Sequence, residues 1–578
     1  VQITSTHAPK VVLNGVSLTS TNGPAVSLIS ADRNFVVSAP GTSNSLTDSA
    51  SYTRSGSGAL YASGPMILSG KGAVTITGIK SHAIYGGSYI RVLGGEVKVP
   101  AAVKDAVHSK TLFQLEEGTL DLTATGDGID GDTGNVIING GSLVVRSLVD
   151  DTKGIGCDGT LAVNGGAVNL TVNGVQSKGL TSGGNLTVAG GSVVMNLAGG
   201  VFLESVTSGT TTYTDPSYCT GLKSKADISF TGGSVTLTHT GTAGKGISAG
   251  GNISITGGVL DLATTGGSSA SFTDSTGATD TASADCLKAD GTLTISAGTI
   301  GASSTGTGGD CLSSDLGVSI TGGDLSLVTG GASGDCLASD QGISISGGTL
   351  GLTVKGAQAK GLKSGGDMSV LGGTMTFAMS GAVVLEPITG TTRYNPSYCS
   401  AMKCDGNLTV SNGTIGITHS GLAGKGISVD GNITITGGIL NIATSGSYST
   451  IFTNASGVQD MAAADCMKAD GSLTITGGII TAGSTGNAAD AISCDGAAII
   501  GVLGNNTTPV ITASTTGAKV LLSGSGNSAD YVNAKAFKAG GNLTMNGGIY
   551  RATTQQDGGE GMESKANLTI AGGLVEIT

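Results

Sequence analysis

The stretch "NLTVAGGSVVMNL", residues 185–197, contains the pattern that decides the fold. Leu186 and Val188 alternate with polar or small residues before a Gly-Gly pair. Val193, Met195 and Leu197 resume the alternation after it. A period of two in such short runs is typical of β-strands, and a Gly-Gly pair is typical of a turn. The stretch therefore predicts two short strands joined by a tight turn.

The same phrase recurs along the chain at a nearly fixed interval. Gly298, Gly323, Gly348 and Gly373 each close one copy, and each follows the previous one by 25 residues. A supersecondary unit repeated at a period of 20–50 residues indicates a solenoid, in which each unit buries its apolar face against its neighbours. Three short strands and three turns fit within about 25 residues. We therefore expect an all-β protein, a parallel β-helix of about 18–20 rungs with side insertions.

This repetition predicts one long domain rather than several globular ones. Residues 1–578 form a single β-helix in this interpretation, with less regular rungs over 1–94 and regular 25-residue rungs over 95–578. Residues of about 153–310 and 333–490 form an internal duplication, since "TTYTDPSYC" (211–219) matches "TTRYNPSYC" (391–399) at an offset of 180. The insertions fall in the same part of the rung each time.

The composition and the motifs of the chain exclude several classes of function. The net charge is −12, whereas nucleic-acid binding requires a basic surface, and no apolar run reaches the length of a membrane span. The sequence contains no nucleophile elbow, no P-loop and no H-E-x-x-H motif, and its five histidines are scattered. We therefore expect a protein that is not an enzyme.

Carboxylates recur in a column when the units are aligned on the closing glycine. Runs of this column without lysine place like charges in line, and oxygen-rich clusters of this kind suit Ca²⁺. The alternative is a structural ladder in which aspartates pair with lysines of neighbouring rungs. The predicted ligands of structural Ca²⁺ form two groups, namely Asp105, Asp127, Asp130 and Asp132, and Asp285, Asp310 and Asp335.

The nine cysteines follow the same register. Residues stacked on parallel rungs lie slightly too far apart for a disulfide, so the stacked cysteines are expected to be reduced. Cys399 and Cys404, in one loop by this interpretation, are the predicted disulfide pair.

The motifs "VVLNGVSLTSTNGPAVSL" (11–28) and "GDGIDGD" (126–132), with the recurring G-N-L-T-I-x-G-G-T-L, resemble a known family. It is the carbohydrate-binding family of bacterial extracellular β-helical domains found in cellulolytic clostridia. The resemblance covers essentially the whole chain. It implies a right-handed β-helix, secretion, bound Ca²⁺ with Asp127 as a ligand, and affinity for cellulose or acidic polysaccharide. The chain departs from the expected pattern in its many lysines and its scarce aromatic residues.

Sugar-binding surfaces usually use aromatic rings, because a ring offers a flat apolar area with a polar edge. The chain has no Trp, so the candidates are tyrosines of the insertions; the alternative is that these pack the insertions onto the solenoid. The predicted carbohydrate-binding residues are Tyr213, Tyr218, Tyr394, Tyr398 and Tyr448.

Two functions follow from this interpretation. The chain opens on "VQIT" and stops inside "AGGLVEIT", without the polar cap that a solenoid needs. The first expectation is therefore a calcium-stabilised cell-surface fibre in which copies of the chain stack head to tail as a homopolymer. The alternative is an extracellular adhesion protein that binds polysaccharide.

Overall fold

The computed structural model describes residues 1–578 and is almost entirely β. It divides into two compact units, Val1–Gly291 and Thr292–Thr578. Each unit is a parallel β-helix, which confirms the predicted fold class, and each rung contributes one strand to each of three parallel sheets. The prediction of a single domain stays a prediction.

Sheet 1 contains short strands that follow the variable connections. In the first unit its strands are Gln2–Thr4, Val26–Ile29, Gly58–Ala62, His82–Gly86, Val107–Ser109, Ile129–Asp130, Lys153–Cys157, Lys178–Ser182, Thr220–Ser224, Lys245–Ala249 and Leu287–Ala289. In the second unit they are Leu312–Ser314, Leu337–Ser339, Lys360–Ser364, Ser400–Cys404, Lys425–Val429, Met467–Ala469, Ile492–Cys494, Phe537–Ala539 and Glu563–Ser564.

Sheet 2 follows sheet 1 along each rung. Its strands in the first unit are Lys10–Leu13, Asn34–Ser38, Met66–Gly70, the first halves of Tyr89–Ala102 and Leu112–Ala124, Asn135–Ile138, Leu161–Val163, Leu186–Val188, Ile228–Phe230 and Ile253–Ile255. Those in the second unit are Thr292–Ile295, Gly317–Ile320, Gly342–Ile345, Met368–Val370, Leu408–Val410, Ile433–Ile435, Leu473–Ile475, Ala498–Ile500, Leu543–Met545 and Leu568–Ile570.

Sheet 3 closes the rung with mostly six-residue strands. In the first unit these are Ser17–Thr19, Ser43–Thr47, Ala73–Gly78, the second halves of Tyr89–Ala102 and Leu112–Ala124, Ser142–Ser147, Ala167–Val172, Ser192–Leu197, Ser234–His239 and Val259–Thr264. In the second unit they are Thr299–Ser304, Asp324–Thr329, Thr349–Val354, Thr374–Met379, Thr414–His419, Ile439–Thr444, Ile479–Ser484, Val510–Thr515, Ile549–Thr554 and Leu574–Ile577.

Apart from the short loop 501–509 between sheets 2 and 3, the insertions all lie between sheet 3 and sheet 1, in the same part of the rung, as the sequence predicts. Each contains an antiparallel hairpin: Phe202–Ser208 with Thr211–Ser217, Phe272–Thr273 with Thr279–Asp280, Val384–Pro387 with Tyr394–Ser397, Phe452–Thr453 with Gln459–Asp460, and Val520–Ser523 with Asp530–Val532. The last hairpin includes the short 3₁₀ helix Gly526–Ser528. No helix has the length and apolar character that a membrane span requires.

The core consists of the inward-facing residues of the three sheets. Leu186 and Val188 in sheet 2 and Val193, Met195 and Leu197 in sheet 3 are all buried, as the alternation predicts. The closing glycine makes the turn between these sheets. At Gly141 φ is +73°, and a Cβ atom there would lie 2.7 Å from the Gly118 carbonyl oxygen. Only glycine fits this position, because the backbone is left-handed and the preceding rung is close.

Candidate functional site

Most strands of sheet 1 present one outward-facing residue. Its neighbours on either side are buried, as in Leu60-Tyr61-Ala62, so this residue lies on the outer face of the sheet. Parallel pairing stacks these residues in register, and we call the stack the outer column. In the first unit it includes Tyr61, Tyr85, His108, Asp130, Thr181, Lys223 and Ser248, and in the second unit Lys363, Lys403, Ser428, Lys468, Ser493 and Lys538.

The first unit carries an aromatic stack in its outer column. The rings of Tyr61 and Tyr85 are stacked with centroids 5.4 Å apart, and those of Tyr85 and His108 with centroids 5.0 Å apart. All three side chains are half-buried. The stack provides an aromatic patch of the kind that sugar-binding surfaces usually use, outside the insertions in which such rings are predicted.

Two histidines and several carboxylates meet beside this stack. Nδ1 of His82 lies 3.0 Å from Oδ2 of Asp105, and Nδ1 of His108 lies 3.5 Å from the same oxygen. Nδ1 of His108 also lies 2.8 Å from Oδ2 of Asp130, and its Nε2 lies 3.9 Å from Asp132. Burial lowers the pKa of His108, but its hydrogen bonds to Asp105 and Asp130 outweigh burial and raise the pKa to about 9.

The aspartate column of sheet 1 has a structural role that the sequence did not reveal. Oδ1 of Asp105 accepts the backbone N–H of Asp127 at 2.9 Å, and Oδ1 of Asp127 accepts that of Lys153 at 2.7 Å. The same contact joins Asp310 to the N–H of Asp335 and Asp335 to that of Lys360, both at 2.8 Å. Each carboxylate therefore ties its rung to the backbone of the next.

The residues predicted to bind calcium fall into different surroundings. Asp127 lies 3.7 Å from the Lys153 ammonium, Asp285 forms a buried ion pair with Lys245, and Asp335 lies 3.7 Å from Lys363. Burial raises the pKa of Asp127 to about 6 despite the hydrogen bond from Lys153. The cluster around Asp105 contributes two imidazole nitrogens, whereas Ca²⁺ prefers an all-oxygen shell. The donor set therefore differs from a calcium site, and the calcium prediction stays a prediction.

The second unit contains a groove of about 500 Å³ along its outer column. Lys403, Ser428, Lys468, Ser493 and Lys538 line its floor, and Tyr398 of an insertion lies at its wall. Carboxylates flank the lysines: Nζ of Lys468 lies 3.0 Å from Asp470 and 3.4 Å from Asp495. Lys403 contacts Asp405 at 3.0 Å and also pairs with Asp430. The groove therefore presents ammonium donors and carboxylate acceptors in alternation.

The tyrosines predicted to bind sugar do not form one platform. Tyr218 packs beside Phe272, Tyr398 beside Phe452 and Tyr448 beside Met461, each in a small apolar cluster under an insertion. Tyr213 is half-buried in a hairpin, and Tyr394 is 37% exposed. The sugar-binding role of these five residues stays a prediction.

The predicted disulfide between Cys399 and Cys404 is wrong in the structure. All nine cysteines are buried free thiols, including Cys399 and Cys404. Cys404 ends an extended strand that Cys399 immediately precedes, so five residues at about 3.3 Å each place them roughly 16 Å apart. A disulfide requires Cα atoms within about 7 Å. Sγ of Cys404 instead donates to the carbonyl of Gly366 at 3.2 Å.

Comparison with known proteins identifies a family. A model described as carbohydrate-binding domain-containing protein matches residues 1–241 and 217–335, which together are more than half of the chain. The chain belongs to this family. The matched region contains the Tyr61–Tyr85–His108 stack and the histidine–aspartate cluster. No curated protein and no solved structure matches the chain.

Sequence reasoning found the carboxylates of the first-unit cluster but missed its aromatic and imidazole residues. Tyr61, Tyr85, His108 and Asp130 are separated by 24, 23 and 22 residues, so they do share a register. Tyr61 and Tyr85 lie in the less regular region 1–94, where the 25-residue period does not hold. The signal in the sequence is the recurrence of aromatic and imidazole residues at slightly shorter intervals.

Proposed function

We propose that the chain binds an extended polysaccharide along the outer column of sheet 1, without cleaving it. The observation that carries the proposal is the ladder of Lys403, Ser428, Lys468, Ser493 and Lys538 on five consecutive rungs of one groove. Rungs repeat at about 4.8 Å, a spacing comparable to the length of one pyranose unit in an extended chain. Every second sugar therefore meets a lysine, and the sugars between them meet a serine.

The chemistry of the groove suits hydroxyl groups. A sugar hydroxyl both donates and accepts hydrogen bonds, while a lysine ammonium only donates and an ionised carboxylate only accepts. Lys468 between Asp470 and Asp495 offers both kinds of partner within one rung spacing. Because carboxylates already balance each lysine charge, the groove favours a neutral glucan such as cellulose over an acidic polysaccharide.

The family match supports the same class of ligand, although it covers residues 1–335 and does not reach the groove. The aromatic stack of Tyr61 and Tyr85 lies within the matched region and supplies a second surface suited to sugar rings. Head-to-tail fibre assembly, calcium stabilisation and an extracellular location stay predictions from the sequence.

A binding assay on insoluble cellulose tests the proposal. The full chain should be retained, and Lys403→Ala and Lys468→Ala should each weaken retention about tenfold, because a hydrogen bond to a charged group contributes about 1.5–3 kcal/mol. Lys355→Ala is the matched control, since Lys355 is an exposed lysine just after a strand of sheet 3.

Three results would contradict the proposal. The first is retention on cellulose that the two groove variants do not change. The second is tighter binding to soluble polygalacturonate than to cellulose. The third is release of reducing ends from the polysaccharide. The second result would favour acidic glycans, and the third would make the chain an enzyme.

A further inference from the structure

His82, Asp105 and His108 form the most concentrated set of metal-ligating atoms in the first unit. They come from strands or strand ends of neighbouring rungs, and one donor atom from each lies within 4.8 Å of the other two. Oδ2 of Asp105 lies 3.0 Å from the nitrogen of His82 and 3.5 Å from that of His108. Ligands bound tetrahedrally at 2.0–2.1 Å are roughly 3.3 Å apart, so the spacing matches a small divalent ion.

The carboxylates of the cluster are held in place by the backbone. Oδ1 of Asp105 accepts the N–H of Asp127, and Oδ1 of Asp130 accepts the N–H of Asp132, both at 2.9 Å. In each case Oδ2 remains directed at an imidazole. Hydrogen bonds of this kind fix the orientation of metal ligands before the ion arrives.

The contact between His82 and Asp105 points to a cation. Nδ1 of His82 faces the backbone N–H of Asp105 at 3.3 Å and lies 3.0 Å from Oδ2 of the same residue. A cation shared by this nitrogen and this carboxylate oxygen, either a metal ion or a proton on Nδ1, stabilises the two atoms at this distance.

The rings are also fixed by packing. The centroids of His82 and His108 are 4.8 Å apart, and Tyr85 stacks on His108. His82 is buried and His108 is half-buried, so the cluster is shielded while still reachable from the surface.

We propose that His82, Asp105 and His108 bind one divalent ion of the Zn²⁺ class. Two imidazole nitrogens and carboxylate oxygens are the donors that Zn²⁺ and its first-row neighbours prefer, whereas Ca²⁺ takes six to eight oxygens. The ion ties together neighbouring rungs of sheet 1 beside the aromatic stack. This site is independent of the groove in the second unit and of the proposed polysaccharide binding.

Metal titration of the full chain, stripped with a chelator, tests the proposal. Calorimetry should show one tight Zn²⁺ site, and Co²⁺ should give the visible ligand-field absorption of a tetrahedral nitrogen–oxygen site. His82→Ala and His108→Ala should each weaken Zn²⁺ binding by more than the 10–100-fold caused by loss of an outer partner. Asp105→Asn, which retains an acceptor for the Asp127 N–H, provides a variant that preserves the rung contact.

The control is His7→Ala, because His7 is exposed and lies outside the cluster. Circular dichroism verifies that each variant remains folded. The proposal is overturned if Co²⁺ gives no such absorption, if the cluster variants bind Zn²⁺ as tightly as His7→Ala, or if Ca²⁺ displaces Co²⁺ at equal concentration. The first result would leave His108 as a protonated partner of Asp105 and Asp130, and the last would make this a calcium site.

Discussion

Lys425 and Asp465 form a buried ion pair, and the Lys425 ammonium lies 4.6 Å from the centroid of the Tyr398 ring. The internal duplication repeats this arrangement in the first unit, where Lys245 pairs with Asp285 and lies 4.8 Å from the Tyr218 ring. Each tyrosine also packs under an insertion. The pair therefore anchors an insertion to sheet 1 in each unit.

Replacing Lys425 should destabilise the protein strongly. Lys425→Met leaves the carboxylate of Asp465 buried without its partner, which typically costs about 3–5 kcal/mol. Lys519→Met is the matched control, because Lys519 pairs with Asp557 and lies 5.1 Å from the Tyr531 ring but is exposed to solvent. An exposed pair contributes little to stability, because water and salt screen its charges. Thermal melting compares the two variants, and equal losses would contradict the anchoring role.

Acid should destabilise the protein through His239 and His419. Nε2 of His239 donates to the Cys219 carbonyl and Nδ1 accepts the Gly241 N–H, both at 3.1 Å, so the ring is neutral. Burial lowers the pKa of each histidine to about 4. The unfolded chain, with a pKa near 6.5, binds protons first, so stability present above pH 6.5 is lost as the pH falls toward 4. Each histidine contributes on the order of 3 kcal/mol to this loss.

The double variant His239→Gln/His419→Gln tests this pH dependence. Its melting temperature should fall much less between pH 6.5 and 4 than that of the parent protein. His7→Gln, at an exposed position, should retain the full fall. A double variant with the slope of the parent would show that other groups cause the acid sensitivity.

Gly244→Ala should destabilise the first unit by crowding the same histidine. A Cβ atom at Gly244 would lie 2.0 Å from Cε1 of His239, and both nitrogens of that ring are already bound. Overpacking of this kind typically costs about 1–3 kcal/mol. Gly267→Ala is the control, because a Cβ atom there meets nothing within 4 Å. Equal melting temperatures for the two variants would contradict this packing argument.

The sequence predicted the fold well because a solenoid repeats its constraints. The alternation in residues 186–197 and the left-handed turn at Gly141 recur on rung after rung, so each copy supports the same prediction. The aspartate column was also visible, but its role was not. Whether Asp127 binds an ion or the N–H of Lys153 depends on backbone directions that residue spacing does not specify.

The site was harder to predict than the fold, because function here depends on exceptions to the repeat. The ring side chains of Tyr61, Tyr85 and His108 are not repeated on later rungs of the outer column, and the intervals between them are shorter than the regular period. The loop assumed for Cys399 and Cys404 is a strand in the structure, which separates the two thiols. The stacking of the rungs brings the three rings together and extends the strand that separates the two thiols. Neither result can be read from neighbouring residues.

Calorimetric titration of the full chain with cello-oligosaccharides of increasing length tests polysaccharide binding along the outer column most directly. Lys403 to Lys538 span five rungs at about 4.8 Å each, so affinity should rise with each added sugar and level off near five units. The Lys403→Ala/Lys468→Ala variant should lose this dependence on length. Absence of binding heat for any oligosaccharide, or an affinity that neither length nor the double variant changes, would contradict the account.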